Sequence, residues 1–217
     1  MSVVGIVPAA GSGERLGSDG PKAFVVCGGR PLLDWSLDAL REVCDRVVVA
    51  APSGYEDAAR DFVRGGAVRS ESVRLALSAA PEATVAVVHD AARPLVTPSL
   101  VRACVAALSD GADGAIAAAP MTDTVKEAAP GDMRVVRTLD RSVLWRIQTP
   151  QVFRAEVLRA ALDVSDAALA AATDDAALVE AAGGVVRVVE APAENIKVTR
   201  PVDLALAELL LSDTSRC

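Results

Sequence analysis

Short runs of apolar, often β-branched residues recur along the chain, separated by Ala/Leu-rich stretches with helical spacing. The runs are VVGIV near Val3, RVVVAAP from Arg46, TVAVVHD from Thr84, GAIAAAP from Gly114 and VVRVVEAP from Val185. A strand that is apolar on every residue is covered on both faces, as in a mostly parallel sheet between helix layers. Helices are expected at 31–43, 55–64, 70–80, 98–108, 174–182 and 201–211. The alternation predicts an α/β fold, a mostly parallel sheet flanked by helices, with its ligand crevice at the carboxyl ends of the strands.

Helix limits have local causes. Ser70 and Thr173 are expected to cap the helices that follow them, Gly183-Gly184 to end the second of these, and Pro201 to open the last helix, where its missing N–H costs nothing. One segment breaks the rhythm. Residues 122–139, TDTVKEAAPGDMRVVRTL, read as two β-capable arms joined by Pro130-Gly131-Asp132, a hairpin that projects from the domain into solvent or onto a second subunit. No internal repeat or interdomain linker is visible, so residues 1–217 are expected to form a single domain.

With 52% hydrophobic residues over 217 positions, the chain is long enough for one well-buried core, and 3% aromatics make that core aliphatic. The net charge of -7 speaks against a nucleic-acid binder or an anionic-membrane binder, so an anionic ligand must meet a local cluster of cations. Cys27, Cys44, Cys104 and Cys217 are scattered, and His89 is the sole histidine, which excludes a multi-histidine metal site and a histidine-based triad. With no secretion signal and no apolar run of bilayer length, a reducing cytoplasm is the expected compartment.

The chemistry begins at IVPAAGSGERLGSDGPK, from Ile6 to Lys22. A glycine-rich turn after an apolar strand brings backbone N–H groups together on an anion, and Arg15 and Lys22 add full charges. Lys22 precedes Ala23 rather than a hydroxyl residue, so the Walker pattern fails; Leu16 stands where the dinucleotide fingerprint needs its third glycine. What remains is a cradle for a nucleotide triphosphate or an ordinary turn.

Other segments bear on that choice. VVHDAARP sets Asp90 and Arg93 just past a strand end, where Asp90 suits a ribose hydroxyl or a hydrated metal ion, and Arg93 suits a phosphate or a loop anchor; an ion pair with a turn is the structural alternative. GGAVRSESV places Arg69 and Ser72 near a helix start, a surrounding that favours anions and polar ligand edges. In ENIKVTRP, read as a strand, Asn195, Lys197 and Thr199 share one side while Ile196 and Val198 face the core. Arg15, Lys22, Arg93 and Lys197 thus gather from remote places on one rim of the sheet, an arrangement suited to polyphosphate.

The motifs PAAGSGERLG…PK, GGAVRSESV, VHDAARP, TDTVK, LDRSVLWRIQTPQVF, TDDAALVE and NIKVTRPVDLALAE, in this order, resemble the 2-C-methyl-D-erythritol 4-phosphate cytidylyltransferase family. The resemblance implies a Rossmann-like nucleotidyltransferase fold and transfer of CMP from CTP to a sugar-alcohol phosphate in non-mevalonate isoprenoid synthesis. It implies Mg2+ or another divalent cation bound with CTP, with Asp90 as a water-mediated contact. It also implies a homodimer whose β-arm, at about 122–141, crosses to the other subunit.

By motif match, Arg15 and Lys22 stabilise the transition state and Ala9, Ala10, Gly11 and Gly13 form the cradle, while Arg69, Ser72, Asp90 and Arg93 complete the nucleotide side. Thr124, Arg141, Thr149, Thr173 and Lys197 match the acceptor side, with Arg141 and Lys197 positioning the attacking phosphate. Ala23 departs from the family by replacing a longer amide, and no second enzymatic domain is expected. The alternatives are a ribitol 5-phosphate cytidylyltransferase, which shares most of these motifs, and a CTP-binding regulator without turnover.

Overall fold

A computed structural model describes residues 1–11, 13, 16, 20–55 and 61–214. In chain order the strands are β1 (Val3–Pro8), β2 (Val26–Cys27), β3 (Arg30–Pro31), β4 (Arg46–Ala51), β5 (Asp61–Arg64), β6 (Val85–Val88), β7 (Gly114–Pro120), β8 (Lys126–Ala128), β9 (Val135–Thr138), β10 (Trp145–Arg154) and β11 (Val186–Glu190). The helices are α1 (Leu32–Arg41), α2 (Arg69–Ser78), α3 (Pro98–Ala106), α4 (Ala155–Leu162), α5 (Asp166–Ala171), α6 (Asp175–Ala181) and α7 (Pro201–Thr214).

Seven strands form one sheet in the order β11-β7-β10-β6-β1-β4-β5. β1 lies parallel to β4 and β6, and β5 and β11 lie parallel to their neighbours; β10 alone runs antiparallel, between β6 and β7. The expectation of a mostly parallel sheet flanked by helices therefore holds. Alternate strand residues feed two apolar layers. Val3, Val7, Val49, Val87 and Val152 pack with Leu33, Leu37 and Leu40 of α1 and Leu100, Val101 and Cys104 of α3. Val4, Ile6, Val48, Val88 and Phe153 pack with Val73 and Leu77 of α2, Leu158 and Leu162 of α4 and Val179 of α6. Each such Leu or Val withdraws enough surface to contribute about 1.5–3 kcal/mol.

The chain leaves β1 toward β4 and β5 on one side and returns through α2 to β6 on the other. Ligands of open α/β sheets bind at such a reversal, beyond the carboxyl ends of the strands. Here those ends are Pro8 of β1 and Val88 of β6.

Several local expectations are corrected. Asp61–Arg64 is the edge strand β5 rather than the end of a helix at 55–64, because Phe62 and Val63 pair with the open side of β4; residues 56–60 lie outside the described set. α2 starts at Arg69 with no side-chain cap, and buried Ser70 lies within its first turn. Asp174, not Thr173, caps α6 by accepting from the Ala177 N–H at 2.9 Å, and Gly183 (φ 86) ends it. The segment around Lys197 forms no strand; its backbone is tied to the β6 loop by Val198 N–H donating to Ala92 O at 2.8 Å. β8 and β9 pair antiparallel as a separate two-stranded sheet, and every residue of β9 is exposed.

Candidate active site

The glycine-rich loop begins where β1 ends. Ala9 N–H donates to Ala50 O at 2.7 Å, which fixes the exit, and Lys22 N–H donates to Gly11 O at 3.1 Å, which closes the loop. Gly13 has φ 78, a left-handed conformation that explains glycine there. Ala9, Ala10, Gly11, Gly13 and Lys22 line a cavity of about 450 Å³ with Arg69, Ser72, Asp90 and Lys197. Arg15 and Gly17 lie outside the described residues.

The opposite wall comes from the β5–α2 turn. Gly65 lets it approach the loop after β1 closely: a Cβ there would stand 2.5 Å from the Ala10 Cβ. Gly66 N–H donates to Ser72 Oγ at 3.0 Å and Ala67 N–H to Glu71 Oε2 at 2.6 Å, while Ser72 Oγ–H donates to Val68 O at 3.2 Å. Helix side chains thus satisfy the turn before α2, the helix that Ser70 was expected to cap.

Arg69, the first residue of α2, donates from Nε to Asp90 Oδ1 at 3.0 Å and from Nη1 to Asp175 Oδ2 at 2.7 Å. Lys197 Nζ donates to Asp90 Oδ2 at 2.7 Å. Burial opposes charge on Asp90, but Arg69 and Lys197 outweigh it and hold its carboxyl well below the usual carboxylate range. Burial, aided by Asp90 and Asp174, pushes the Asp175 carboxyl upward against the pull of Arg69.

A second cavity of about 290 Å³ shares Arg69, Asp90 and Lys197 with the first and adds Arg93, Thr149, Gln151 and Thr173. Arg93 serves as a loop anchor, donating from Nη1 to Asn195 O at 2.7 Å, and burial lowers its pKa. Thr149 Oγ1 accepts from the Asp90 N–H at 3.0 Å and lies 3.1 Å from His89 Nδ1, while His89 Nε2 lies 3.3 Å from Arg93 O. The wholly buried imidazole is pushed down to about 4 by its desolvation. It props the loop that presents Asp90.

Thr124 and Arg141 line neither cavity. Both are exposed, and the Arg141 guanidinium donates to the Thr122 carbonyl. Gln151 lines the smaller cavity and Asp175 pairs with Arg69, and motif reasoning named neither as a site residue. The second acidic residue of TDDAALVE, set on the same face as Val179, was the available signal for Asp175.

Among the described residues, no three His, Cys, Asp or Glu side chains gather as a metal site. Both Asp90 oxygens already carry a cationic partner, so the donor set does not make a protein-held divalent site. Cys27, Cys44 and Cys104 are buried free thiols; burial, with Glu208 adding to it, pushes Cys27 up to about 11, and burial pushes Cys44 and Cys104 up to about 12.

Comparison with known proteins agrees with this geometry. The 2-C-methyl-D-erythritol 4-phosphate cytidylyltransferase of Frankia casuarinae is 48% identical over 220 residues, covering 97% of this chain and 81% of the relative. That of Nocardia farcinica is 44% identical, covering 97% of this chain and 94% of its own length. The crystal structure of the enzyme from Thermus thermophilus superposes with a TM-score of 0.82 at 39% identity, covering 98% of this chain and all (100%) of that one. The family pattern of 2-C-methyl-D-erythritol 4-phosphate cytidylyltransferase matches residues 3–213, and the chain belongs to that family.

Proposed function

We propose that the chain transfers the cytidylyl group of CTP to 2-C-methyl-D-erythritol 4-phosphate, giving 4-diphosphocytidyl-2-C-methyl-D-erythritol and pyrophosphate. The observation that carries this reading is the common wall of two adjoining cavities: Arg69, Asp90 and Lys197 border both the loop-lined cavity and the one containing Thr149 and Thr173. A donor in the first and an acceptor in the second would meet across that wall.

An acceptor phosphate oxygen attacks the α-phosphorus, a new P–O bond forms, and the bond to the β-phosphate oxygen breaks with release of pyrophosphate. A phosphate monoester has a second pKa near ~6, so the nucleophile is largely dianionic at neutral pH and needs no general base. The protein's task is to align two anions and compensate the charge that grows at the α-phosphate and the leaving group. Lys22 and Arg15 act on the triphosphate, with the backbone of Ala9, Ala10, Gly11 and Gly13 as its cradle. Arg69 and Ser72 serve the cytosine and ribose end. Lys197, Thr149 and Thr173 serve the acceptor, and Arg93 holds the loop around them.

Mg2+ or another divalent cation would be bound with CTP, where it would supply positive charge to the triphosphate, since the donors among the described residues make no site for it. The active form is a homodimer of single-domain subunits in which Thr124 and Arg141 of one arm complete the acceptor cavity of the other subunit. The cytoplasm is the proposed compartment, in keeping with three buried free thiols.

The test is pyrophosphate release from CTP, UTP, ATP and GTP, each with 2-C-methyl-D-erythritol 4-phosphate or ribitol 5-phosphate. Release with CTP and the methylerythritol acceptor is expected. Preference for ribitol 5-phosphate, or tight CTP binding with no turnover on either acceptor, overturns the proposal.

A further inference from the structure

Asp175 is wholly buried (0% exposed), and the transfer chemistry makes no use of it. A carboxylate taken from water is costly unless paired, and an apolar side chain is the cheaper filling for such a position. Its neighbours Ala176 and Val179 do fill the apolar layer beneath the sheet. Asp175 instead directs Oδ2 at Arg69 Nη1, 2.7 Å away, and leaves Oδ1 without a hydrogen-bond partner.

The start of α6 is itself fixed. Gln151 of β10 donates from Nε2 to Asp174 Oδ2 at 2.9 Å and accepts the Ala176 N–H at 3.3 Å. Across the cavity, Asp90 accepts Arg69 Nε at 3.0 Å. Two carboxylates on separate elements therefore grip two corners of one planar guanidinium, and a group held at two corners has its plane fixed. Arg69 Nη2 has no protein hydrogen-bond partner among the described residues, and Arg69 borders both cavities.

We propose that Asp175 is a positioning residue for cytidylyl transfer, acting through Arg69 to fix the wall shared by the nucleotide and acceptor cavities. The proposal rests on the reading of the larger cavity as the CTP pocket.

The test compares wild type, D175N, R69K and the double variant by calorimetric CTP binding, steady-state kinetics and thermal unfolding. D175N keeps the shape and removes the charge. CTP binding is expected to weaken and the CTP KM to rise about tenfold, equivalent to about 1.4 kcal/mol. The unfolding midpoint should hold or rise, because a buried charge with an unpaired oxygen has gone. In the R69K background the same change should add no further loss.

Normal CTP binding by D175N beside weakened binding by R69K overturns this proposal alone. So does an equal loss from D175N in both backgrounds, or a lowered midpoint with an unchanged KM. Normal CTP binding by R69K overturns the reading of the cavity and the proposal with it. Should D175N not fold, D175S takes its place in the same comparison; failure of both to fold marks Asp175 as a structural group and overturns the proposal.

Discussion

Lys197 Nζ lies 2.7 Å from Asp90 Oδ2 although 107 positions separate the two residues. The pair joins the segment before α7 to the loop after β6, and Asp90 takes Arg69 on its other oxygen. Replacing Asp90 by Asn leaves two cations to share an uncharged amide. Charge-assisted hydrogen bonds contribute about 1.5–3 kcal/mol, so kcat/KM should fall roughly ten- to a hundredfold. Because Asp90 borders both cavities, the loss should appear with either substrate as the varied one. A loss confined to CTP would show that it serves only one side.

Lys22 borders the loop cavity, and the role proposed for it in compensating developing charge predicts a defect in turnover rather than folding. Lys22→Ala should slow pyrophosphate release by about a hundredfold or more, the usual effect of removing one such donor. Thermal unfolding should be nearly unchanged, since the side chain supports neither apolar layer.

Thr124 and Arg141 lie away from both cavities of their own subunit, so trans complementation distinguishes their roles. K22A and R141A homodimers should each be nearly inactive. Mixed in equal amounts and allowed to exchange, they should recover about a quarter of wild-type activity, since half the dimers are mixed and each has one intact site. An Arg141 that serves its own subunit gives no recovery.

A methyl group at Gly65 would meet the Ala10 Cβ at 2.5 Å, so G65A must push the α2 turn away from the phosphate loop. Overpacking of this kind costs about 1–3 kcal/mol. A lowered unfolding midpoint and a raised CTP KM are expected together, whereas a raised KM for the acceptor alone would contradict the proposed division of the site.

His89 is pushed down to about 4 by burial, below its ordinary 6.5, so the unfolded chain binds the proton more readily. Stability due to the neutral ring is present above pH 6.5 and is lost as pH falls toward 4, by at most about 3 kcal/mol. Asp90, held below the usual carboxylate range, stays ionised through that window, whereas the Asp175 carboxyl, pushed upward by burial, contributes with the opposite sign, so the difference between wild type and H89Q isolates the imidazole's share. H89Q should flatten the pH dependence of denaturant unfolding between these limits while lowering stability at neutral pH.

Strands β1, β4, β6 and β7 were legible because each is apolar on consecutive residues, as at Val85–Val88, whereas β11, expected to be covered on both faces, is a largely exposed edge strand. The glycine-rich loop after β1 was legible because its glycines and Lys22 fall within one short stretch of the chain. β5 was not, because DFVR pairs only through the free edge of β4 and has no local signal that outweighs a helical reading. β10 was missed because polar residues interrupt its apolar pattern, with Gln148, Thr149 and Gln151 all buried. The second acid of TDDAALVE marks Asp175 as unusual, but its pairing with Arg69 spans 106 positions and neither motif alone names the partner.

Strand β10 pairs with β7 at Trp145–Ile147 and again from Gln151, while its pairing with β6 begins at Gln151. Residues 148–150 therefore sit in a gap of the β7 ladder and ahead of the first β6 pair, and Gln148 and Thr149 turn toward Asn195 and His89. Side chains there can be exchanged without unzipping the sheet. On the proposed reading of the smaller cavity as the acceptor's, substitutions at Gln148 or Thr149 are expected to shift acceptor preference with both ladders left intact.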